Sequence, residues 1–273
     1  RRSGGFALTY STIASIIKYP YSSLSAKGKS KFGFFATEEG TIREVATKLG
    51  LKQLSEDPLC YARHPLVYLV EAADDICYQI MDIEDACKLH ILGYDEAQGL
   101  IQGFFADDEL REIQHVANTI GDPNERMGYL RSKAINLLVE EAASLFLDAE
   151  EAILAGTFEG SLIQHLSPRL LSAYQACSRT AYAKIYSARE VVDVELAGHR
   201  IFSALLDQLI EAQMHPDHLY SRTLLSRVSS QYEMNHPTVY GRIQSSLDYI
   251  SGMTDIYALD LYRRITGMNL PAV

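Results

Sequence analysis

The sequence predicts an all-α protein with at most one or two short strands. Apolar residues recur at helical spacing through most of the chain, and the strict alternation typical of strands is scarce. Of the 273 residues, 47% are hydrophobic, which is enough to bury a substantial core. Because no tract rich in Pro, Gly and Ser interrupts this pattern, we expect a single helical domain over residues 1–273.

One long helix dominates the first part of the chain. A short helix over residues 8–18 should end before Pro20, because a residue that precedes proline disfavours the helical conformation. Residues 23–40 mix turn formers with three lysines and three phenylalanines, a composition typical of a surface loop. The long helix begins at Pro65, which suits the first helical position, and runs to Cys87.

The rest of the chain also follows the helical period, with one exception. Residues 190–196 alternate in the manner of a strand, so a brief strand is predicted before Gly198. Thr254 is a suitable N-cap for the last helix, which Gly267 should terminate. Helices are predicted over residues 107–120, 127–154, 162–187, 200–213, 219–232, 238–250 and 255–265.

Composition excludes several classes of protein. The net charge of -10 argues against nonspecific nucleic-acid binding through bulk charge. No apolar run approaches the roughly 18 residues that span a bilayer, and neither a Gly-rich phosphate loop nor a G-x-S-x-G motif occurs. The cysteines lack C-x-x-C spacing and are expected to be reduced core residues of a cytoplasmic protein: Cys60, Cys77, Cys87 and Cys177.

The long helix carries an acidic face opposite its apolar one. No Lys or Arg occurs between Pro65 and Cys87, so the carboxylates lack the i,i+4 cations that would offset their repulsion. Short Asp side chains are poor helix formers but suitable ligands for hard divalent cations. We therefore expect Asp74 and Asp75 to point into an enclosed cavity and to help bind a metal, with a solvated outer face as the alternative. The apolar face contains Leu66, Leu69, Val70, Ala73, Ile76, Cys77, Ile80, Ile83 and Cys87, and the acidic face contains Glu71, Asp74, Asp75, Tyr78, Asp82 and Asp85.

Several blocks of the sequence are similar to one known family. They are LTYST at residues 8–12 followed by KYP at 18–20, KFGFF at 31–35, RHPLVYLVEAADDICYQIMDIEDA at 63–86, VELAG at 194–198 and DYISGMTDIYA at 248–258. In content and in order these blocks resemble the deoxyguanosinetriphosphate triphosphohydrolase family of the HD superfamily. The resemblance covers nearly the whole chain.

The resemblance implies an HD-type helical fold and metal-dependent hydrolysis of a deoxynucleoside triphosphate, with dGTP as the foremost substrate. The products would be a deoxynucleoside and inorganic triphosphate, and the metal would be Mg or Mn. By resemblance, Asp74 is a metal ligand, Tyr78 and Asp82 contact the sugar, and Lys18 meets the phosphates.

Further candidates lie outside the long helix. Lys27, Lys29 and Lys31, beside three phenylalanines, could contact phosphate or a single strand, or simply form a mobile loop; Lys31 is the favoured one.

By resemblance, Tyr186, Glu195 and Arg242 help to form the base pocket or a subunit contact, although helix packing explains Tyr186 equally well. The resemblance also implies a homo-oligomer and makes single-stranded DNA a candidate effector.

The resemblance is incomplete at the metal site. In the family the metal is held by a His, a His-Asp pair and a later Asp, and only the later Asp has a match here, at Asp74. No His-Asp dipeptide occurs in the sequence. We therefore expect the chain to be the C-terminal portion of a longer enzyme and inactive alone, since one carboxylate is a poor site for a catalytic metal. The alternative is a non-catalytic helical module that binds a nucleotide or regulates another protein after losing the HD ligands.

Overall fold

A computed structural model of the chain describes residues 7–25 and 31–268, and these residues form an all-α structure with one small sheet. The predicted fold class is thus confirmed. The elements are α1 Tyr10–Ser15, α2 Glu39–Leu49, β1 Gln53–Ser55, β2 Cys60–Tyr61, α3 Pro65–Lys88, α4 Tyr94–Gln102, α5 Asp107–Ala117, α6 Pro123–Asp148, α7 Glu150–Leu154, α8 Pro168–Thr180, α9 Arg189–Met214, α10 Leu219–Leu225, α11 Val239–Ser251 and α12 Asp255–Ile265.

The contacts divide the described chain into two compact units, one within residues 7–187 and the other within residues 188–268. The single domain expected over residues 1–273 stays a prediction. No helix of the described residues is long and apolar enough to cross a membrane.

The larger unit is built around α3, which packs most extensively against α6. Its core side chains recur every three or four residues on both helices, as the helical period requires. Full burial of each large aliphatic side chain contributes about 1.5–3 kcal/mol. The fully buried members include Ile76, Ile80 and Ile83 of α3, Leu130 and Leu138 of α6, and Ile101, Phe104, Leu162 and Leu170 from neighbouring elements.

The start of α3 follows the sequence signals. Pro65 occupies the first turn, and the His64 side chain accepts a hydrogen bond from the backbone N–H of Leu66 at 3.2 Å. This cap fixes the first turn, which places the carboxylates further along the helix.

The small sheet holds the segment before α3 in place. β1 and β2 pair antiparallel, and Tyr21 forms an isolated bridge with Cys60 of β2. The backbone N–H of Tyr61 donates to the carbonyl of Pro20 at 3.0 Å. Lys18 is therefore tethered close to the beginning of α3.

The smaller unit consists of α9 with α10, α11 and α12 packed on it. Its buried core includes Leu205 and Leu209 of α9, Tyr249 of α11 and Leu261 of α12. Thr254 caps α12 as predicted, because its side chain accepts a hydrogen bond from the backbone N–H of Tyr257.

The strand predicted over residues 190–196 is wrong, because these residues form the first turns of α9. The short alternation competes with a helical pattern that continues through Leu205 and Leu209, and the longer pattern prevails. The two observed strands lie instead before α3. Some predicted helix ends also differ: α10 ends at Leu225, and α1 is shorter than residues 8–18.

The predicted apolar face of α3 is partly wrong. Ile76, Ile80, Ile83 and Cys87 are buried as expected, whereas other members of that face are exposed. The covering elements bury a strip that also includes Val67, Ala72 and even Glu71 and Glu84, so the buried strip is rotated from the predicted face. Cys77 is therefore an exposed thiol and not a core residue. The exposed members are Leu66, Val70, Ala73 and Cys77.

Candidate functional site

Four polar side chains line one edge of α3, and we call this set the acidic edge: Asp74, Asp75, Tyr78 and Asp82. Asp74 and Tyr78 are exposed, whereas Asp75 and Asp82 are half-buried. At the helical rise, the eight-residue step from Asp74 to Asp82 spans about 12 Å. The edge is therefore long enough to contact an extended ligand at more than one point. The enclosure expected around Asp74 is not seen in this structure.

Glu71 is not part of the solvated acidic face, contrary to the prediction. Its carboxylate is buried and receives two cations, the Lys18 ammonium at 3.0 Å and the Arg63 guanidinium at 2.9 Å. The carboxylate of Glu84 is also buried and paired with a cation, because the Arg131 guanidinium lies 2.9 Å from it. Lys88 at the end of α3 also lies 3.0 Å from Glu84, and the other cations that pair with the two buried glutamates come from other elements.

Arg63 connects Glu71 of α3 to the backbone of two other segments. Besides its ion pair with Glu71, its Nε donates to the carbonyl of Lys18 at 3.0 Å and its Nη1 to the carbonyl of Gly160 at 3.2 Å. The backbone of Lys18 is thereby fixed against the first turns of α3.

The Lys18 side chain remains a partly exposed cation. Burial alone would lower the pKa of its ammonium, but the hydrogen bond and charge of Glu71 outweigh that effect and raise the pKa above the usual value. An ammonium has three donors, and Glu71 takes one of them. Lys18 is therefore charged at neutral pH and retains donors for an anion.

The carboxyl of Asp75 lies close enough to Lys18 and Glu71 for their charges to affect its pKa. Burial raises the pKa of its carboxyl, the charge of Lys18 opposes that rise, and Glu71 and Asp74 add to it. The Tyr174 hydroxyl donates to the backbone carbonyl of Asp75 at 3.3 Å. A carboxylate that is costly to ionise in isolation is well suited to sit beside a further cation.

A row of polar side chains on α8 runs alongside the acidic edge. Tyr174 reaches Asp75, and the Ser178 hydroxyl donates to the side-chain oxygen of Gln79. About two turns further on, beyond the end of α8, the Tyr186 hydroxyl donates to Asp82 at 2.7 Å. The two helices are thus held in register along the whole edge.

A π-helical turn over Ala181–Ile185 separates α8 from Tyr186. Such turns add one residue to a helical turn and are frequent at functional sites. Burial, together with the hydrogen bond to Asp82, raises the pKa of Tyr186 to about 12. The hydroxyl is therefore a neutral donor at physiological pH, and Asp82 keeps one carboxylate oxygen for another partner.

Lys31 lies close to the residue that follows Lys18, Tyr19. The ammonium of Lys31 is 5.9 Å from the centre of the Tyr19 ring. Burial raises the pKa of Asp75, and the charge of Lys31, like that of Lys18, opposes this rise. Gly33 is obligatory in this segment, because a Cβ there would lie 2.0 Å from the carbonyl oxygen of Tyr19. Lys27 and Lys29 lie outside the described residues.

Two of the predicted candidates belong to the smaller unit. Glu195 is an exposed residue of α9. The guanidinium of Arg242, on α11, donates to the carbonyl of His236 at 2.8 Å and to the carbonyl of Gln213 at 3.0 Å. The observed contacts of Arg242 are those of a structural tie between helices.

The described residues do not by themselves fit a resident divalent cation. Over residues 7–25 and 31–268, no group of three His, Cys, Asp or Glu side chains is arranged to hold a metal. Asp74 can offer one ligand, but a catalytic metal site needs about three protein ligands. The role of Asp74 as a metal ligand stays a prediction.

Sequence reasoning missed residues whose partners lie far along the chain. Arg63 belongs to one of the sequence blocks but has no predicted role there, yet it anchors both Glu71 and Lys18. No role is predicted from the sequence for Ser178, on α8, or for Tyr182, in the π-helical turn that follows. The spacing of Tyr174, Ser178 and Tyr182 at four-residue intervals was the available signal.

Comparison with known proteins shows which family the chain resembles. Residues 164–264 match the model of a phosphohydrolase-associated domain. A deoxyguanosinetriphosphate triphosphohydrolase-like protein of Pseudomonas aeruginosa is 32% identical over 278 residues, and one of Synechocystis sp. is 35% identical over 282 residues. Each alignment covers 98% of this chain and 62% of the relative. These relatives and the matched domain support the chain as a member of the deoxyguanosinetriphosphate triphosphohydrolase family.

The family resemblance stated from the sequence blocks is therefore confirmed. A deoxyguanosinetriphosphate triphosphohydrolase of Salmonella arizonae is also similar, at 29% identity over 96% of this chain and 60% of its own length. The chain spans less than two thirds of the length of these curated relatives. The acidic edge and Glu71 lie on α3, whereas Lys18 and Arg63 reach Glu71 from segments that precede this helix.

Proposed function

We propose that this triphosphohydrolase-like protein acts in the hydrolysis of a deoxynucleoside triphosphate, dGTP foremost, to a deoxynucleoside and inorganic triphosphate. The observation that carries the proposal is the Asp82 carboxylate, held by the Tyr186 hydroxyl at 2.7 Å on the same helix edge that Lys18 approaches. A nucleotide laid along this edge meets a hydroxyl acceptor at one end and a cation at the other.

Asp82 and Tyr78 would hold the deoxyribose. The 3'-hydroxyl is a donor, and the Asp82 oxygen that Tyr186 leaves free is a charged acceptor, which makes the stronger kind of hydrogen bond. Tyr78 is exposed one turn before Asp82 and offers its ring to the sugar face.

Lys18 would offset the charge of the triphosphate. It lies at the level of Glu71, one turn before Asp74, and Lys31 adds a second positive charge on that side. Such preset cations stabilise the charge that develops when water attacks the α-phosphorus and the bond from that phosphorus to O5' breaks. The deoxynucleoside is the leaving group, its O5' takes up a proton, and the water oxygen stays on the released triphosphate.

Dependence on Mg or Mn is part of the proposal. Asp74 would supply one oxygen ligand, and the remaining ligands would come from residues beyond those described, because the described ones contain no cluster of three. A homo-oligomer, a cytoplasmic location and a single-stranded DNA effector stay predictions.

The test is release of inorganic triphosphate by the full-length protein from each of the four dNTPs, with Mn, Mg or EDTA. Asp82→Asn should lower turnover of dGTP, and Asp74→Ala should abolish the metal-dependent part. Asp85→Asn is the matched control, since it removes an exposed carboxylate one turn further along α3. Unchanged triphosphate release by Asp74→Ala would refute the assignment of that residue.

The absence of three grouped ligands among the described residues favours a second candidate, a nucleotide-binding module without hydrolysis. It differs in outcome from the first. The module would bind dGTP in an Asp82-dependent way, as measured by calorimetry, while the full-length protein would release no triphosphate under any metal condition.

A further inference from the structure

The buried carboxylate of Glu71 lies at the end of the acidic edge that Lys18 approaches. Its side chain is 7% exposed, and its two oxygens contact different cations: Oε1 lies 3.0 Å from the Lys18 ammonium and Oε2 lies 2.9 Å from the Arg63 guanidinium. By Coulomb's law, a negative charge close to a bound triphosphate weakens its binding. Charge alone therefore does not explain a carboxylate at this point.

The Lys18 side chain is held at both of its ends. Its ammonium pairs with Glu71, and the backbone carbonyl of Lys18 accepts a hydrogen bond from Arg63 Nε at 3.0 Å. A lysine side chain has several rotatable bonds, and ordering it is among the larger entropy costs for a side chain. Because both ends are held, Lys18 has lost much of that freedom before any ligand binds.

Arg63 is itself held by contacts on several sides. Its Nη1 donates to Glu71 and to the carbonyl of Gly160, the latter at 3.2 Å. The guanidinium carbon lies 5.5 Å from the centre of the ring of Tyr68, which is a buried residue. Arg63 and Glu71 therefore form a rigid support, and Lys18, with 36% of its side chain exposed, is the most exposed member of the cluster.

We propose that Glu71 and Arg63 are positioning residues that hold the Lys18 ammonium beside the acidic edge, in the orientation that meets the phosphates of a bound nucleotide. The inference rests on the proposed function, in which Lys18 offsets the triphosphate charge, and adds the residues that preset this cation. Ordering a side chain in advance removes part of the entropy cost of binding. Loss of the Glu71 charge should therefore weaken triphosphate binding, whereas a purely electrostatic effect would strengthen it.

The experiment measures binding to the full-length protein by calorimetry in EDTA, so that hydrolysis does not interfere. Glu71→Gln keeps the shape of the side chain and removes its charge. This variant should bind dGTP about two- to tenfold more weakly, the range expected when one long side chain must be ordered on binding. Binding of deoxyguanosine, which has no phosphate, should not change.

Glu84→Gln is the matched control. Glu84 is a buried glutamate of the same helix, 5% exposed, and it pairs with Lys88 at 3.0 Å and with Arg131 at 2.9 Å. Its replacement disturbs α3 in a comparable way, about 20 Å along the helix from Glu71, and should leave dGTP binding unchanged. A loss equal to that of Glu71→Gln would trace the effect to a weakened helix and overturn the proposal.

A double-mutant cycle tests whether Glu71 acts through Lys18. Lys18→Ala should weaken dGTP binding about tenfold or more, as expected for a hydrogen bond between charged groups. Adding Glu71→Gln to Lys18→Ala should cause no further loss, because the side chain that Glu71 positions is gone. If Glu71→Gln does not fold, Arg63→Lys is the second variant. It keeps the positive charge without the planar fork, and should weaken the binding of dGTP but not of deoxyguanosine.

The outcomes separate this inference from the proposed function. Tighter or unchanged dGTP binding by Glu71→Gln, equal losses for dGTP and deoxyguanosine, or additive losses in the cycle would each overturn the inference, even if the wild-type protein releases triphosphate. Absence of triphosphate release with Mn and with Mg would instead refute hydrolysis, and the binding pattern would still decide the role of Glu71. If Lys18→Ala binds dGTP as tightly as wild type, or if wild type binds no dGTP at millimolar concentration, the phosphate role of Lys18 and the inference fail together.

Discussion

Removal of the Glu71 carboxylate should destabilise the larger unit measurably, because two cations converge on it. Its side chain is 7% exposed, whereas Lys18 is 36% and Arg63 23% exposed. Truncating one partner of a buried pair costs about 3–5 kcal/mol, mainly because a buried charge is left unpaired. Here the cations left behind keep access to water, so the cost of Glu71→Ala should be smaller, about 2–3 kcal/mol.

The assay is urea unfolding of the 273-residue chain followed by far-UV circular dichroism, with a thermal melt alongside. For a unit of this size, 2–3 kcal/mol corresponds to a fall in melting temperature of about 5–10 °C. Asp85→Ala is the control, since Asp85 is an exposed carboxylate of the same helix, 3.6 Å from Lys88, and should cost less than about 0.5 kcal/mol. Equal losses for the two variants, or no loss for Glu71→Ala, would show that the convergence of cations on Glu71 does not stabilise the fold.

Three further changes have definite expected results. Ile80→Ala, at a fully buried position of α3, should lower the free energy of unfolding by about 2–5 kcal/mol in the same urea assay; a loss below 1 kcal/mol would contradict the packing described. Gly33→Ala should cost at least about 1–3 kcal/mol, because its Cβ would meet the carbonyl oxygen of Tyr19 at 2.0 Å, and a neutral effect would mean that this segment relaxes freely. The folded-state pKa of Asp75 is raised, chiefly by burial, so its stabilising contribution is complete below the unfolded pKa and is lost as pH rises through the folded one. Asp75→Asn should therefore stabilise the chain at pH 7, by up to about 0.5 kcal/mol, and the gain should vanish near pH 3 in melts recorded across pH.

Local sequence signals were sufficient for α3 and for most of the later helices, but they did not predict α2, α4 or the first turns of α9, and they did not predict how the helices pack. Pro65 and the apolar period placed α3 within one residue of its observed bounds. The side of α3 that is buried depends on where α6 and α8 lie, and those positions follow from no local pattern. This is why Cys77 and Val70 were expected inside and are exposed, while Glu71 was expected outside and is buried.

The same limit explains what was missed at the candidate site. The acidic edge could be read from spacing alone, because Asp74, Tyr78 and Asp82 lie on one helix. The partners of this edge are remote in sequence: Tyr186 follows Asp82 by 104 residues, and Lys18 precedes Glu71 by 53. Charge and periodicity indicate that such partners are needed, and only the fold shows which ones meet.

The direction in which the Tyr186 hydroxyl points depends on the number of residues in the π-helical turn over Ala181–Ile185. Each helical residue turns the chain by about 100°, so loss of a single residue from this turn would swing Tyr186 away from Asp82 while leaving every side chain chemically intact. A relative that differs here by a one-residue gap can thus lose the contact with no substitution at all. Gaps at this point in an alignment carry as much information about the acidic edge as the identity of its residues.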